Sequence, residues 1–217
     1  FDGWVDIYKR LVYWEVQFDK SDQSMMEVLQ MQKNEANQLF SKYVANNYTD
    51  WFKNEGPLMS HELLKEKVFP NIKNDKTFLI VIDNLRYDQW QVIRPILMER
   101  FTAKEESLYY SILPTATQYA RNALFAGMMP SEIQKHFPSK WKNEDDEGSK
   151  NKFEADFLNA NLSNNGINCK TSYNKITNLD AGKKLVNNFS NLLNNDFNVV
   201  VYNFVDMLSH ARTDMEV

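Results

Sequence analysis

Four side chains stand out for the chemistry that their types and spacing allow. Asp83 leaves an apolar run in FLIVIDNLRYD, Asp206 leaves another in VVVYNFVDMLSH, and His210 follows Asp206 by four positions. Carboxylate oxygens and an imidazole nitrogen suit a divalent metal ion. A four-residue step puts Asp206 and His210 on one side of a helical turn, converging on one ion. Between the two runs lies SILPTATQYARNALFAG, where a strand is expected to end at Pro114 and a helix to begin at Thr115 or Thr117. A hydroxyl at a helix N-terminus sits among free backbone N–H groups and the positive end of the dipole. That setting favours a phosphate and lowers the cost of an alkoxide, more so if a metal coordinates it. Each residue alone has a plainer use. An Asp after a buried strand or a Thr at a helix start commonly caps a helix, and most lone Asp-xxx-His pairs bind nothing. Occurring together, each at the end of a strand, they favour a metal site over separate caps.

The elements that must position these residues follow from hydrophobic periodicity. In open parallel sheets, ligands sit beyond the carboxyl ends of the strands. From Thr77, FLIVID reads as a strand buried on both faces of a parallel sheet. Arg86–Phe101 has helical spacing with Pro95 as a kink, and Ser107–Leu113 reads as a second strand. Thr117–Ala126 is a helix closed by Gly127 as C-cap, and Ser131–Phe137 a short helix. Residues 138–152 are polar, Phe153–Asn164 is helical before Gly166, and Asn168–Tyr173 is a weak strand. Asn178 or Asp180 caps a helix through Leu193, and FNVVVYNF (197–204) is the last strand. Strands alternating with helices argue for an α/β fold with a parallel sheet.

Residues 1–70 read as helix throughout. Trp4, Val5, Tyr8, Leu11, Val12 and Val16 recur at steps of three and four, and a longer run follows Ser21 and Asp22. It stops near Gly56-Pro57, after which Ser60 is expected to cap a short helix ending at Pro70. The chain thus divides into a helical segment over 1–72 and an α/β domain over 73–217. The aromatic stripe of the first helices is expected to pack internally, with a homodimer interface as the other use.

Composition removes several classes of function. The 25 Lys and Arg against 29 Asp and Glu give a net charge of −4, which excludes a strongly basic nucleic-acid or polybasic membrane surface. No run approaches the ~20 apolar residues of a membrane span, so no membrane insertion is expected. A single cysteine, Cys169, excludes an internal disulfide framework and suits a reducing compartment; the expected location is cytoplasmic. Cys169 itself is read as inert, and His61 and His136 as surface or cap residues. Asn143, Asp145, Glu147, Gly148 and Glu154 fall at calcium-loop spacing, but a solvated acidic loop is the better reading.

Asp83, a Thr in PTAT before a helix, and the Asp206/His210 pair resemble the alkaline phosphatase superfamily. DNLRYD and TATQYARNALFAG resemble its PglZ branch. Thr117 lies ten residues before Gly127, which precedes Pro130 by three, as in nucleotide-pyrophosphatase-type members. The helical part, with VLQMQKNEAN and GPLMSHELL, resembles PorX-type response regulators of the type IX secretion system. These join a receiver, a helical linker and a PglZ output domain.

The resemblance implies an N-terminal helical segment followed by a partial alkaline-phosphatase-like α/β domain with two zinc ions. Asp83 would ligate one zinc beside Thr117, the nucleophile and itself a ligand, with Thr115 as the alternative nucleophile or a local cap. Asp206 and His210 would ligate the second zinc. The ions would clamp the attacking and leaving oxygens of a phosphoester, with Thr117 carrying a covalent phosphoryl group. Ala120 stands where pyrophosphatase-type members have an Asn that holds a phosphoryl oxygen, so Arg121 or Asn122 would take that part. The superfamily's downstream Asp-His-Gly motif and distant His do not occur before Val217. The expectation is therefore an internal piece of a larger regulator, with half of each metal site and little activity. Implied partners are a receiver domain in the same polypeptide, a sensor histidine kinase, a sigma factor and a nucleotide or oligonucleotide substrate. The alternative function is a non-catalytic, metal-stabilised signalling scaffold.

Overall fold

The computed structural model of the chain describes residues 1–18, 23–53, 56–72, 76–143, 146, 149–203 and 205–209. In chain order the elements are α1 (Asp2–Gln17), α2 (Gln23–Asn47), a π-helical turn (Leu64–Val68), α3 (Phe69–Ile72), β1 (Thr77–Ile82) and α4 (Tyr87–Met98). There follow α5 (Thr117–Ala126), α6 (Pro130–His136), α7 (Glu154–Asn164), β2 (Thr171–Ile176), α8 (Leu179–Asn187), α9 (Phe189–Leu192) and β3 (Phe197–Tyr202). They form two compact units, one of residues 1–57 with 85–108, the other of 58–84 with 109–217.

The first unit is helical. Leu29 of α2 and Val12 of α1 are buried, and Trp4 meets Phe40 edge-on with ring centroids 5.3 Å apart. Lys33 and Glu15 join the two helices as an ion pair at 2.6 Å. Tyr8 of α1 meets Tyr87 at the start of α4, their ring centroids 5.7 Å apart. Glu106 ties down α4 from the far side of the helix in sequence, accepting hydrogen bonds from Tyr87 Oη at 2.8 Å and Trp90 Nε1 at 3.2 Å. Pro95 is contained within α4. The break at Gly56-Pro57 has a steric cause: a Cβ on Gly56 would stand 2.7 Å from the Trp51 carbonyl oxygen.

The second unit is built on a three-stranded parallel sheet in the order β1-β3-β2. The register is uninterrupted: Thr77, Phe197 and Thr171 stand side by side at one end, Ile82, Tyr202 and Ile176 at the other. Phe197, Val199 and Val201 lie on one face of β3 with no exposed surface, packed with Phe125, Phe157 and Leu158. Burial of such a side chain contributes about 1.5–3 kcal/mol, so β3 anchors the sheet. The Val-rich run of β3 is buried on both faces, as its sequence predicts. β1 departs from the same expectation: it is an edge strand among the described residues, and Ile80 is 62% exposed.

Four further expectations need correction. Ser107–Leu113 is not a strand of the sheet. Tyr110 makes only an isolated parallel bridge to Met59, because its N–H and C=O go to the Leu58 carbonyl and the Ser60 amide. Ser60 is not a helix cap; its hydroxyl accepts from the Ile112 amide at 3.2 Å, and the helical stretch runs on through Pro70 to Ile72. β2 lies at Thr171–Ile176, a few residues beyond the expected Asn168–Tyr173. Its polar sequence is stabilised by a ladder partner in β3 and by Ser172 Oγ donating to Asn198 Oδ1 at 2.6 Å. The helix expected through Leu193 is capped by Asn178, whose Oδ1 accepts from Ala181 N at 2.8 Å, and is divided into α8 and α9.

Helix α5 ends as its sequence predicts. Gly127 closes it in the left-handed conformation at φ 64°, and its N–H donates to the Ala123 carbonyl. Space adds a second demand there. A Cβ would come within 2.6 Å of Asn161 Oδ1, so this glycine also lets α5 and α7 approach.

Candidate active site at the carboxyl ends of the strands

Asp83 is the first residue beyond β1, and its N–H still donates to the Tyr202 carbonyl at 3.0 Å, extending the ladder by one rung. Asn84 then takes φ 62°, a left-handed turn for which Asn is among the better residues. The chain therefore turns sharply away from the sheet directly after the carboxylate. On the neighbouring strand, Asn203 follows Tyr202, and its Nδ2 donates to Asp83 Oδ2 at 3.3 Å. Asp206 lies three residues further on, within a short helical stretch at 205–209. Both aspartates thus stand beyond the carboxyl ends of adjacent parallel strands, the place where open α/β sheets bind ligands.

Arg121, on α5, brings a buried cation to this point. Its NH1 donates to Asp83 Oδ2 at 2.7 Å and lies 3.4 Å from Asn203 Oδ1. The other edge of the guanidinium faces Glu154, with Nε on Oε1 and NH2 3.4 Å from Oε2. Glu154 is wholly buried at the start of α7. It also accepts from Tyr173 Oη at 2.7 Å and from Lys175 Nζ at 3.2 Å, both side chains of β2. Two carboxylates and two cations, drawn from β1, α5, α7 and β2, form one network in which every buried charge faces an opposite charge. Breaking one member of such a buried pair costs about 3–5 kcal/mol.

Burial pushes the Asp83 carboxyl above the ordinary carboxylate range; Arg121 opposes the shift, while the charges of Asp206 and Glu154 add to it. Asp83 therefore lies within electrostatic reach of a second carboxylate from the neighbouring strand end. Tyr173 is held protonated well above its usual value by burial and by Glu154. Cys169 is raised by burial and by Asp196, in keeping with an inert thiol.

Thr117 is the first residue of α5 and half-buried, and its carbonyl accepts from Asn151 Nδ2 at 3.2 Å. It precedes Arg121 by one turn, so the two share a side of the helix. Thr115 is exposed and is not the cap: the N-cap position is Ala116, which offers no side-chain hydrogen bond. The first turn of α5 thus lacks the usual side-chain acceptor. Asn122 is buried on the same helix, with Nδ2 3.2 Å from the Lys150 carbonyl and Oδ1 accepting from Asn151. It braces residues 150–151 against α5. His210 lies outside the described residues, and among those described no three His, Cys, Asp or Glu gather as a metal-binding group.

The calcium-loop spacing is overturned at its last position. Glu154, the would-be bidentate ligand, is buried against Arg121, Lys175 and Tyr173, while Asp145, Glu147 and Gly148 fall outside the described residues. The sequence gives little warning of this network. The one local signal is the pair Arg121 and Asn122 leading directly into an apolar run, RNALFA, where a buried charge demands a partner.

The fold is that of an alkaline phosphatase-like domain. Residues 63–217 match the family of BREX-system PglZ alkaline phosphatase-like domains, and the chain belongs to that family. Residues 1–52, ahead of that match, are similar to the linker domain of the PorX response regulator. Compared with curated proteins, the chain finds no match. The alkaline phosphatase-like superfamily is generally metal-dependent. No helix among the described residues is long and apolar enough to cross a membrane.

Proposed function

We propose that the PglZ domain, taken as residues 73–217, hydrolyses phosphoesters with zinc, and that the helical linker over 1–72 couples it to a receiver domain in a regulator of type IX secretion. The supporting observation is the pair Asp83 and Asp206 beyond adjacent strand ends, with the charge of Asp206 acting on Asp83. Two carboxylates and a nearby hydroxyl are a donor set that suits a divalent cation. In this reading Asp83 and Thr117 hold one zinc, and Asp206 and His210 hold the other. When bound, the metal supplies Lewis-acid stabilisation of the attacking and leaving oxygens.

Thr117 Oγ1 attacks phosphorus, the bond to the leaving oxygen breaks, and that oxygen leaves with a proton. Water then attacks the phosphothreonine, releasing phosphate or a phosphomonoester and restoring the hydroxyl. The positive end of α5, free of a side-chain cap at Ala116, favours a phosphoryl group at this threonine. Arg121 is engaged by Asp83 and Glu154, and Asn122 by residues 150–151, so both act on the site by holding its parts. The substrate class we favour is a nucleotide or oligonucleotide phosphodiester, with a sensor histidine kinase upstream and a sigma factor among the partners of the cytoplasmic regulator.

The test is turnover of a chromogenic phosphodiester by a chain reaching the downstream metal motifs. Thr117→Ala is expected to lower turnover by a factor of at least about a thousand while the zinc held by Asp206 and His210 is retained. Full activity in that variant refutes the assignment.

A second reading is favoured by Arg121. The guanidinium already supplies Asp83 with a counter-cation, so the cluster also reads as a structural network at the heart of a signalling scaffold. Exposed Tyr13 and Trp14 on α1 and Met31 on α2 support a homodimer in that reading. Sedimentation of the chain across a concentration range tests the dimer. Zinc binding without any turnover favours the scaffold.

A further inference from the structure

We propose that Glu154 is a positioning residue for Asp83, acting through Arg121; the inference rests on the reading of Asp83 as a metal ligand. Glu154 holds the guanidinium along its Nε–NH2 edge, which fixes the plane of the fork. Only NH1 then remains to reach Asp83, and it meets Oδ2 at 2.7 Å. Asn203 Nδ2 donates to the same oxygen. Among the described residues nothing donates to Oδ1, so the network engages one oxygen of the carboxylate and leaves the other for a ligand. Glu154 is in turn fixed by Tyr173 Oη and Lys175 Nζ, both on Oε2. The chain of contacts runs from the edge strand β2, through α7 and α5, to the end of β1. No group in it is free to rotate without breaking a charge-assisted hydrogen bond. Ligating carboxylates are held in this way by outer partners whose loss typically weakens metal binding by about 10–100-fold.

The experiment titrates cobalt(II) into the full chain, followed by its visible d–d absorption, with the thermal midpoint of each metal-free variant recorded alongside. Asp83→Asn is expected to remove the part of the cobalt spectrum that belongs to the Asp83–Thr117 site. Glu154→Gln and Arg121→Lys are each expected to weaken cobalt binding by about tenfold and to change the band shape. Arg121→Lys keeps the charge but loses the fork, so it separates geometry from electrostatics. The double variant is expected to bind about as weakly as the worse single one, because both act through one carboxylate. If Glu154→Gln does not fold, Tyr173→Phe, which releases one anchor of the carboxylate, is read beside Arg121→Lys in the same way.

Wild-type affinity in Arg121→Lys, with the Asp83-dependent part of the spectrum lost in Asp83→Asn, overturns the positioning role and leaves the metal reading standing. An unaltered spectrum in Asp83→Asn, or no cobalt binding by the unaltered chain, overturns the metal reading and the positioning role with it.

Discussion

Replacing Gly127 by Ala and comparing it with the same change at Gly166 isolates the cost of the α5–α7 approach. Both glycines have nearly the same positive φ, 64° and 68°, so the conformational cost of adding a Cβ is shared. That cost is about 1–2 kcal/mol for an L-residue in the left-handed region. At Gly166 nothing lies within 4 Å of the added carbon, and the conformational term is the whole effect. At Gly127 the carbon would stand 2.6 Å from Asn161 Oδ1 and 2.8 Å from its Nδ2. Asn161 must then move, although its Nδ2 donates to the buried Phe125 carbonyl at 3.1 Å and its Oδ1 accepts from Asn165 Nδ2 at 2.9 Å. Leaving buried groups unpaired adds about 1–3 kcal/mol. Gly127→Ala should therefore cost about twice as much as Gly166→Ala. With a midpoint shift of about 2–4 °C per kcal/mol, the two thermal unfolding curves are resolvable by circular dichroism. Equal shifts for the two variants refute the steric argument and leave only the φ term.

The other predictions are smaller in scale. Glu106 is held below the ordinary carboxylate range by the Tyr87 hydroxyl first, with Trp90 and Arg94 adding to the effect. Its contribution to the stability of the first unit is thus complete above the unfolded glutamate value and is lost as pH falls through the lowered folded value. Glu106→Gln should accordingly be less stable than the unaltered chain at neutral pH, and the gap should close in acid; a constant gap down to acid refutes the assignment. Removing the cap at Asn178 by Asn178→Ala should cost α8 about 1 kcal/mol, read as roughly fivefold faster amide exchange at Ala181. Unchanged exchange there would mean that the cap bond contributes nothing.

Both of the Val- and Ile-rich strands were legible in the sequence, because a run such as FNVVVY has no stable place except a buried strand. The C-cap at Gly127 was equally legible, since only one residue type there combines the left-handed turn with the space it needs. From the strand ends came the positions of Asp83 and Asp206. β2 was misjudged by a few residues because TSYNKI carries little hydrophobic signal; its pairing with β3 and the Ser172–Asn198 hydrogen bond decide its place. Ser107–Leu113 has strand-like residues but no strand to pair with beyond the Met59 bridge. Periodicity reports how a segment buries its side chains, not which partner its backbone finds. Glu154 illustrates the same limit for the site: its partners Arg121, Lys175 and Tyr173 lie 33, 21 and 19 residues away. The local pattern therefore placed it in a solvated acidic loop, whereas it is buried.

The strand order has a consequence for how the chain is made. Among the described residues β1 and β2 each pair only with β3, which is the last of the three to leave the ribosome. Until residue 202 has emerged, neither earlier strand has a ladder to join, and the turn that carries Asp83 lacks its hydrogen bond to Tyr202. The pairing spans 120 residues from Thr77 to Phe197, a long loop to close, and such non-local sheets form late and slowly. FLIVI is thus an apolar, strand-prone segment that must wait until β3 has been made. A nascent protein in that state exposes a ready template for aggregation, and its yield in cells should depend on chaperone capacity more than its final stability would suggest.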